Sequence, residues 1–234
     1  MREEQKRQIR EHLEAFLKRR AATIAELHLD DLNINPFMIR LLSHELNLND
    51  AKSIVEWFLD ERMQRGIVTA FGRCLQDIAT IFAQGTGVEG ADMIKIKDNI
   101  PYYIQLKSGP NPLDKDACVK ATELLLSAQR RHPGSVALFA MSYGHPSQIS
   151  SQVKKYIGVQ TMIGQQFWEF ISNDPDCAQE IYEVAARVST TFRFRQWTLS
   201  QLIENKLVEL TQAFVDRYGD SDSQMWENLL KENI

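Results

Sequence analysis

The spacing of apolar positions shifts from helical to alternating and back along this chain, so helices are expected at both ends and strands between. Arg2 to about Ala25 predicts a charged amphipathic helix. Pro36 opens a short second one, and Asn49 caps a third that runs through Trp57 and Leu59. A further helical pattern from Ile67 to Phe82 leads to Gly85 and Gly87, which loosen the chain. Between Ala91 and Lys107 the period becomes two, with β-rich arms flanking Asp98-Asn99, which predicts a hairpin. Asp116 to Arg131, with Val119, Leu124, Leu125 and Ala128, predicts a helix that covers one sheet face. Pro133-Gly134 ends it, and Ser135 to Met141 reads as a buried strand, giving a right-handed parallel crossover. Ser142 to Tyr156 reads as a polar loop, Val159 to Ile163 as a short strand and Gln165 to Ile171 as a helix. Further helices follow, separated near Asn173-Asp174-Pro175 and Gly219-Asp220. The expected fold is α/β, a mixed central sheet with flanking helices plus a helical N-terminal region. A boundary near Ile67 separates residues 1–66 from 67–234.

The hairpin carries the candidate chemistry. With Asp98 and Asn99 as a two-residue loop, Asp92 faces Gln105 across the ladder. Alternation puts Gln105 and Lys107 on one face of the second arm and turns Ile104 and Leu106 into the core. Asp92, the Gln105 side-chain oxygen and the Leu106 carbonyl are hard oxygen donors of the kind magnesium takes. Lys107 then stands where an ammonium orients an attacking water or neutralises charge on a phosphate. The same spacing also fits an ordinary amphipathic surface hairpin with a solvated lysine. What favours the site is that Gln105-Leu106-Lys107 closes an apolar strand and runs straight into the rigid Ser108-Gly109-Pro110-Asn111-Pro112 turn.

Composition narrows the classes without deciding among them. A chain of 234 residues with 44% apolar residues can bury a substantial core. No apolar run reaches the length of a membrane span, and the charged N-terminus lacks a secretory core, so a cytoplasmic protein is expected. Cys74, Cys118 and Cys177 are odd in number and widely spaced. They read as buried or incidental thiols, and the five histidines fall in no metal-ligand spacing. The formal net charge of −4 is awkward for a DNA-binding protein. Residues 203–234, however, hold seven acids against three bases, so the rest of the chain is balanced and can carry a basic cleft. Lys115, Lys120, Arg130 and Arg131 near the hairpin's following helix are candidates for it, with Arg187, Arg193 and Arg195. Thr190 to Trp197 interleaves arginines with aromatics, which fits either base readout or a segment with core aromatics and solvated arginines.

The order helix, Asp-bearing strand, hairpin, (acid or Gln)-x-Lys strand, helix, strand resembles the PD-(D/E)xK nuclease superfamily. Asn33 to Met38, Ala70-Phe71-Gly72, Gln105 to Asn111, Gly164 to Trp168 and Met225 to Leu230 are similar, in order, to type II restriction endonucleases that cut interrupted palindromes with GG and CC ends. The resemblance implies a restriction-endonuclease-like core, a Mg2+ cofactor, a double-stranded DNA substrate, a homodimer with its contact in the N-terminal helices, and 5′-phosphate products. It places the metal-binding acid on Asp92 and the catalytic lysine on Lys107. Gln105 stands at the second carboxylate and Ala91 at the superfamily's proline. The glutamine removes a negative charge from the metal site, although polar non-acids occur at this position in the resembling group. Glu89 or Asp77 could restore a carboxylate, although each fits a solvated surface acid better. Other readings are a nuclease fold that binds DNA without cutting it, a structure-specific repair nuclease, and a helical interaction protein with no nucleic-acid role.

Overall fold

The computed structural model describes residues 1–86, 90–111 and 113–234. Alternating apolar residues in the middle of the chain build a five-stranded sheet in the order β1 (Gly85–Thr86), β2 (Met93–Lys97), β3 (Ile100–Lys107), β4 (Val136–Met141), β5 (Gln160–Ile163). β1, β2 and β3 are antiparallel neighbours, whereas β3, β4 and β5 run parallel. The sheet is therefore mixed, and helices flank it, as the residue pattern predicts. β4 is apolar without alternation because both of its faces are covered, and Leu138, Phe139, Ala140 and Met141 are all fully buried.

Helix α4 (Lys115–Arg131) covers one face. Its N-terminus is capped by the Asp114 carboxylate, which accepts the Ala117 N–H at 2.8 Å. The helix packs Cys118, Ala121 and Leu125 on Ala137, Phe139 and Met141. That contact corrects part of the sequence expectation. The inward stripe is Cys118, Ala121, Leu125 and Ala128, whereas Val119 and Leu124 are 38% and 37% exposed. Spacings of three and four residues fix the stripe, and its two alanines let the helix lie close to the sheet.

Two compact units make up the chain: Met1–Phe16 with Ala70–Thr191, and Leu17–Thr69 with Phe192–Ile234. The first holds the sheet, α4, α5 (Ser151–Tyr156), α6 (Gln165–Ser172) and α7 (Cys177–Thr191). The second holds α2 (Pro36–Leu42), α8 (Leu199–Tyr218) and α9 (Asp222–Glu232) around Ile39, Ile54, Phe58, Phe214 and Leu229. Helices α1 (Glu3–Ala25) and α3 (Ala51–Thr80) contribute to both. Asn35 caps α2 as its position before Pro36 predicts, its Oδ1 accepting the Phe37 and Met38 N–H groups at 3.1 and 3.0 Å. Helix α3 differs from expectation. The two helical stretches read from the sequence form one 30-residue helix, and Asp50 rather than Asn49 caps it by accepting the Ser53 N–H at 3.0 Å. The stretch from Ser142 to Tyr156 is not all loop. It contains a 3-10 turn at Pro146–Gln148 and the six-residue α5, too short to impose a readable period.

All three cysteines are buried, and none of them is in a disulfide. Burial pushes the Cys177 thiol up to about 11 and raises that of Cys118, so both stay protonated near neutral pH. No helix among the described residues is long and apolar enough to cross a membrane.

Candidate active site

The β2–β3 hairpin has the register that places an acid beside Gln105. Met93 pairs with Ile104 and Lys97 with Ile100, leaving Asp98 and Asn99 as the two-residue turn. Both adopt left-handed backbones, φ 50° and 63°, which matches the right-handed twist of the strands. Asp and Asn tolerate that region because short polar side chains bond locally to the backbone.

Asp92 stands one residue before β2. Its N–H donates to the Ile104 carbonyl at 2.8 Å, extending the ladder by one bond. Its Oδ2 then accepts the Leu106 N–H at 2.8 Å, where no β2 residue remains to pair with that amide. The carboxylate thus substitutes for a strand and is pinned over β3. A strand residue directs its N–H and C=O to the same edge, so the Leu106 carbonyl also points toward Asp92.

Opposite Asp92 in register, Gln105 shares a sheet face with Lys107, Phe139 and Met141. Ile104 and Leu106 are buried on the other face, as alternation requires. Gln105 Oε1 is buried and has no hydrogen-bond partner among the described residues. Only Arg20 Nε and Thr211 Oγ1 share that condition, and both lie in the other unit. An acceptor left so costs roughly 1–3 kcal/mol, a cost that a ligand at the site would remove. Lys107 is half-buried at the last position of β3 and makes no ion pair among the described residues. The structure therefore brings Asp92, Gln105, Leu106 and Lys107 to one end of the sheet, where the central strand β3 terminates.

The loops beyond the parallel strands hold that end in place. The Ser142 N–H donates to the Lys107 carbonyl at 2.9 Å, and the Ser142 hydroxyl to the Ser108 carbonyl at 2.7 Å. The Trp168 indole N–H donates to the Ser142 carbonyl at 2.7 Å. A Cβ at Gly109 would fall 2.6 Å from the Tyr143 ring, so the missing side chain lets this exposed tyrosine lie over the turn after Lys107. Gly72 of α3 plays a related part, since a Cβ there would come 3.2 Å from the Ser108 side chain. The residue pattern alone does not place Ser142, Tyr143 and Trp168 beside Lys107, because strand order is what brings their loops together. Open α/β sheets bind ligands at this place, outside the carboxyl ends of parallel strands.

The remaining candidates are dispersed. Lys115 and Lys120 are exposed on α4, the former 5.5 Å from the centre of the Tyr156 ring. Arg193 and Arg195 are exposed in the other unit. Asp77 is exposed on α3, and no group of three or more His, Cys, Asp or Glu residues suited to a metal occurs among the described residues. Glu89 lies outside the described residues. Lys95 is buried on the face opposite Gln105, its ammonium donating to the Phe82 carbonyl at 3.1 Å. Burial, and secondarily the charge of Lys97, pull its pKa below the ordinary lysine value.

An acid pinned by the hairpin, an unpaired amide oxygen and a lysine on one strand end form the arrangement that the (acid or Gln)-x-Lys pattern predicts. A family model described as type II restriction endonuclease EcoO109I matches residues 3–189. The chain belongs to this family of type II restriction endonucleases. The match takes in Asn33–Met38, Ala70–Gly72, Gln105–Asn111 and Gly164–Trp168, whereas Met225–Leu230 lies beyond its end. No curated protein matches the chain significantly. As a restriction endonuclease the protein is a nuclease with DNA as its substrate, and its mixed sheet with flanking helices is consistent with a restriction-endonuclease-like core.

Proposed function

We propose that this restriction endonuclease cuts both strands of an interrupted GG/CC palindrome in a magnesium-dependent reaction, acting as a homodimer and leaving 5′-phosphate ends. The observation that carries the reading is the register-built meeting of Asp92, pinned on the Leu106 N–H, with the buried and unpaired Gln105 Oε1 and with Lys107.

The donor set fits a hard divalent cation. Asp92, Gln105 Oε1 and the Leu106 carbonyl would hold it through oxygen alone, with one negative charge. When bound, such an ion supplies Lewis acidity and lowers the pKa of a water. Asp92 keeps one oxygen on the Leu106 N–H, so its direction is fixed before any ligand arrives. Lys107 positions an ammonium against the non-bridging phosphate oxygens and favours the charge that develops as water attacks phosphorus in line. The bond from phosphorus to the 3′-oxygen breaks as the bond to the water oxygen forms. The attacking water gives up a proton to solvent, and the departing 3′-oxygen takes one from solvent to become the hydroxyl. Lys115, Lys120, Arg193 and Arg195 contact DNA.

Two-fold symmetry in the target calls for two-fold symmetry in the enzyme. The helical region 1–66 supplies the contact between copies. Support for this comes from Phe37 and Leu41, 67% and 79% exposed on α2. Complete digestion of a long, sequenced duplex in Mg2+ tests the reading. Discrete fragments with 5′-phosphates at GG/CC palindromes are expected, and random fragments or none would contradict it. A second reading, DNA binding without cleavage, is favoured by the single carboxylate at the site. It requires salt-dependent binding to the duplex with no product in Mg2+ or Mn2+.

A further inference from the structure

Two tight turns of one kind in this chain are built from unlike residues. The β2–β3 turn places Asp98 and Asn99 at its left-handed positions, residue types that tolerate them. After α7, Phe194 and Trp197 exchange both backbone hydrogen bonds at 2.9 Å and enclose Arg195 and Gln196. These two have φ 48° and 70°. A hairpin turn with positive φ at both central residues favours Asn-Gly, because a Cβ in the left-handed region crowds the following carbonyl. Neither arginine nor glutamine relieves that crowding by local hydrogen bonding. The turn therefore keeps two residues that its own backbone disfavours, a pattern that marks function rather than stability.

Their side chains are also free to act. Arg195 and Gln196 are exposed, and Arg195 makes no ion pair among the described residues. Its guanidinium lies 5.3 Å from the centre of the Phe194 ring, so a residue that closes the turn also supports the charged group. Trp197, 41% exposed, closes the other side of the turn. The result is a tight four-residue turn, closed by one β-bridge between α7 and α8, with a five-donor fork and an amide at its tip.

We propose that the Arg195–Gln196 turn enters the major groove and reads bases, with Arg195 donating both arms of its fork to O6 and N7 of a guanine. This rests on the reading of the protein as a nuclease for a specific duplex. In the major groove guanine presents two acceptors, O6 and N7, that match the guanidinium fork at the tip of this turn. Gln196 offers a donor and an acceptor to the neighbouring base.

The test uses the full chain and the site that wild-type digestion defines. The double variant Arg195→Asn, Gln196→Gly carries the residues that the turn prefers, so its unfolding midpoint is expected to equal or exceed that of the wild type. Cleavage rates are then compared between the intact site and duplexes with one G·C pair at a time changed to A·T. At one guanine position the wild-type preference is expected to fall about tenfold or more, with the others retained. Arg195→Lys, which keeps the charge and loses the fork, is expected to lose the same preference, whereas a phosphate contact would survive that swap. Unchanged discrimination in both variants, or a lowered midpoint in the first, overturns the assignment of the turn while leaving the nuclease reading intact. A wild type that neither cuts nor specifically binds duplex DNA overturns both.

Discussion

Gln105 separates stability from activity at a single side chain. Its buried, unpaired oxygen is a cost in the free protein, so Gln105→Met is expected to raise stability by about 1 kcal/mol and to abolish cleavage. Denaturant unfolding and a plasmid-nicking assay on the same sample check both halves. Gln105→Glu instead adds a second carboxylate, and the expected change is in the Mg2+ or Mn2+ concentration needed for half-maximal cleavage. Asp92 requires a subtler substitution. Asp92→Ala would strand the Leu106 N–H at a cost of roughly 1–3 kcal/mol, whereas Asp92→Asn keeps an acceptor for it. The asparagine variant is therefore expected to fold with an unchanged unfolding midpoint and to lose cleavage. Lys95 makes a different prediction. Its folded pKa is lowered by burial from the ordinary 10.5, so the unfolded state binds more protons between the two values. Stability contributed by this residue should rise with pH across that window, and Lys95→Met should remove the rise in pH-dependent unfolding.

Strands and turns were the most legible elements. Alternation from Met93 to Lys107, with Asp98-Asn99 between the arms, predicts the register that the structure has, and with it the neighbours of Asp92. The stripe on α4 was harder to read because Cys118 and Ala121 are less conspicuous in sequence than Val119 and Leu124, although their spacing is the helical one. The burial of Lys95 follows from the same alternation that buries Met93, yet a lysine there reads as exposed until the Phe82 carbonyl is seen to receive it. Corners between elements were not legible, since they depend on close approach of distant backbone. Gly164 shows the effect. A Cβ there would come 2.4 Å from the Gly144 carbonyl oxygen, at a φ of +58°. Gly164→Ala is accordingly expected to destabilise the protein by about 2 kcal/mol or more, measured by chemical unfolding, because the obstacle is backbone and has no rotamer to yield.

For the molecule as a whole, a net charge of −4 and a nucleic-acid substrate are compatible only if positive charge is concentrated where DNA lies. Seven of the acids fall in residues 203–234, after the matched family region ends at 189. The family match establishes a restriction endonuclease, and we propose the hairpin as the place of its chemistry. That assignment is tested most directly by incubating one supercoiled plasmid bearing a cleavable site with wild type, Asp92→Asn and Lys107→Ala at equal concentration, with Mg2+ and with EDTA. Linear product from the wild type in Mg2+ alone, and none from either variant despite unchanged folding by circular dichroism, is the predicted result. Cleavage at the wild-type rate by a folded Asp92→Asn or Lys107→Ala would contradict it and move the active site elsewhere in the sheet.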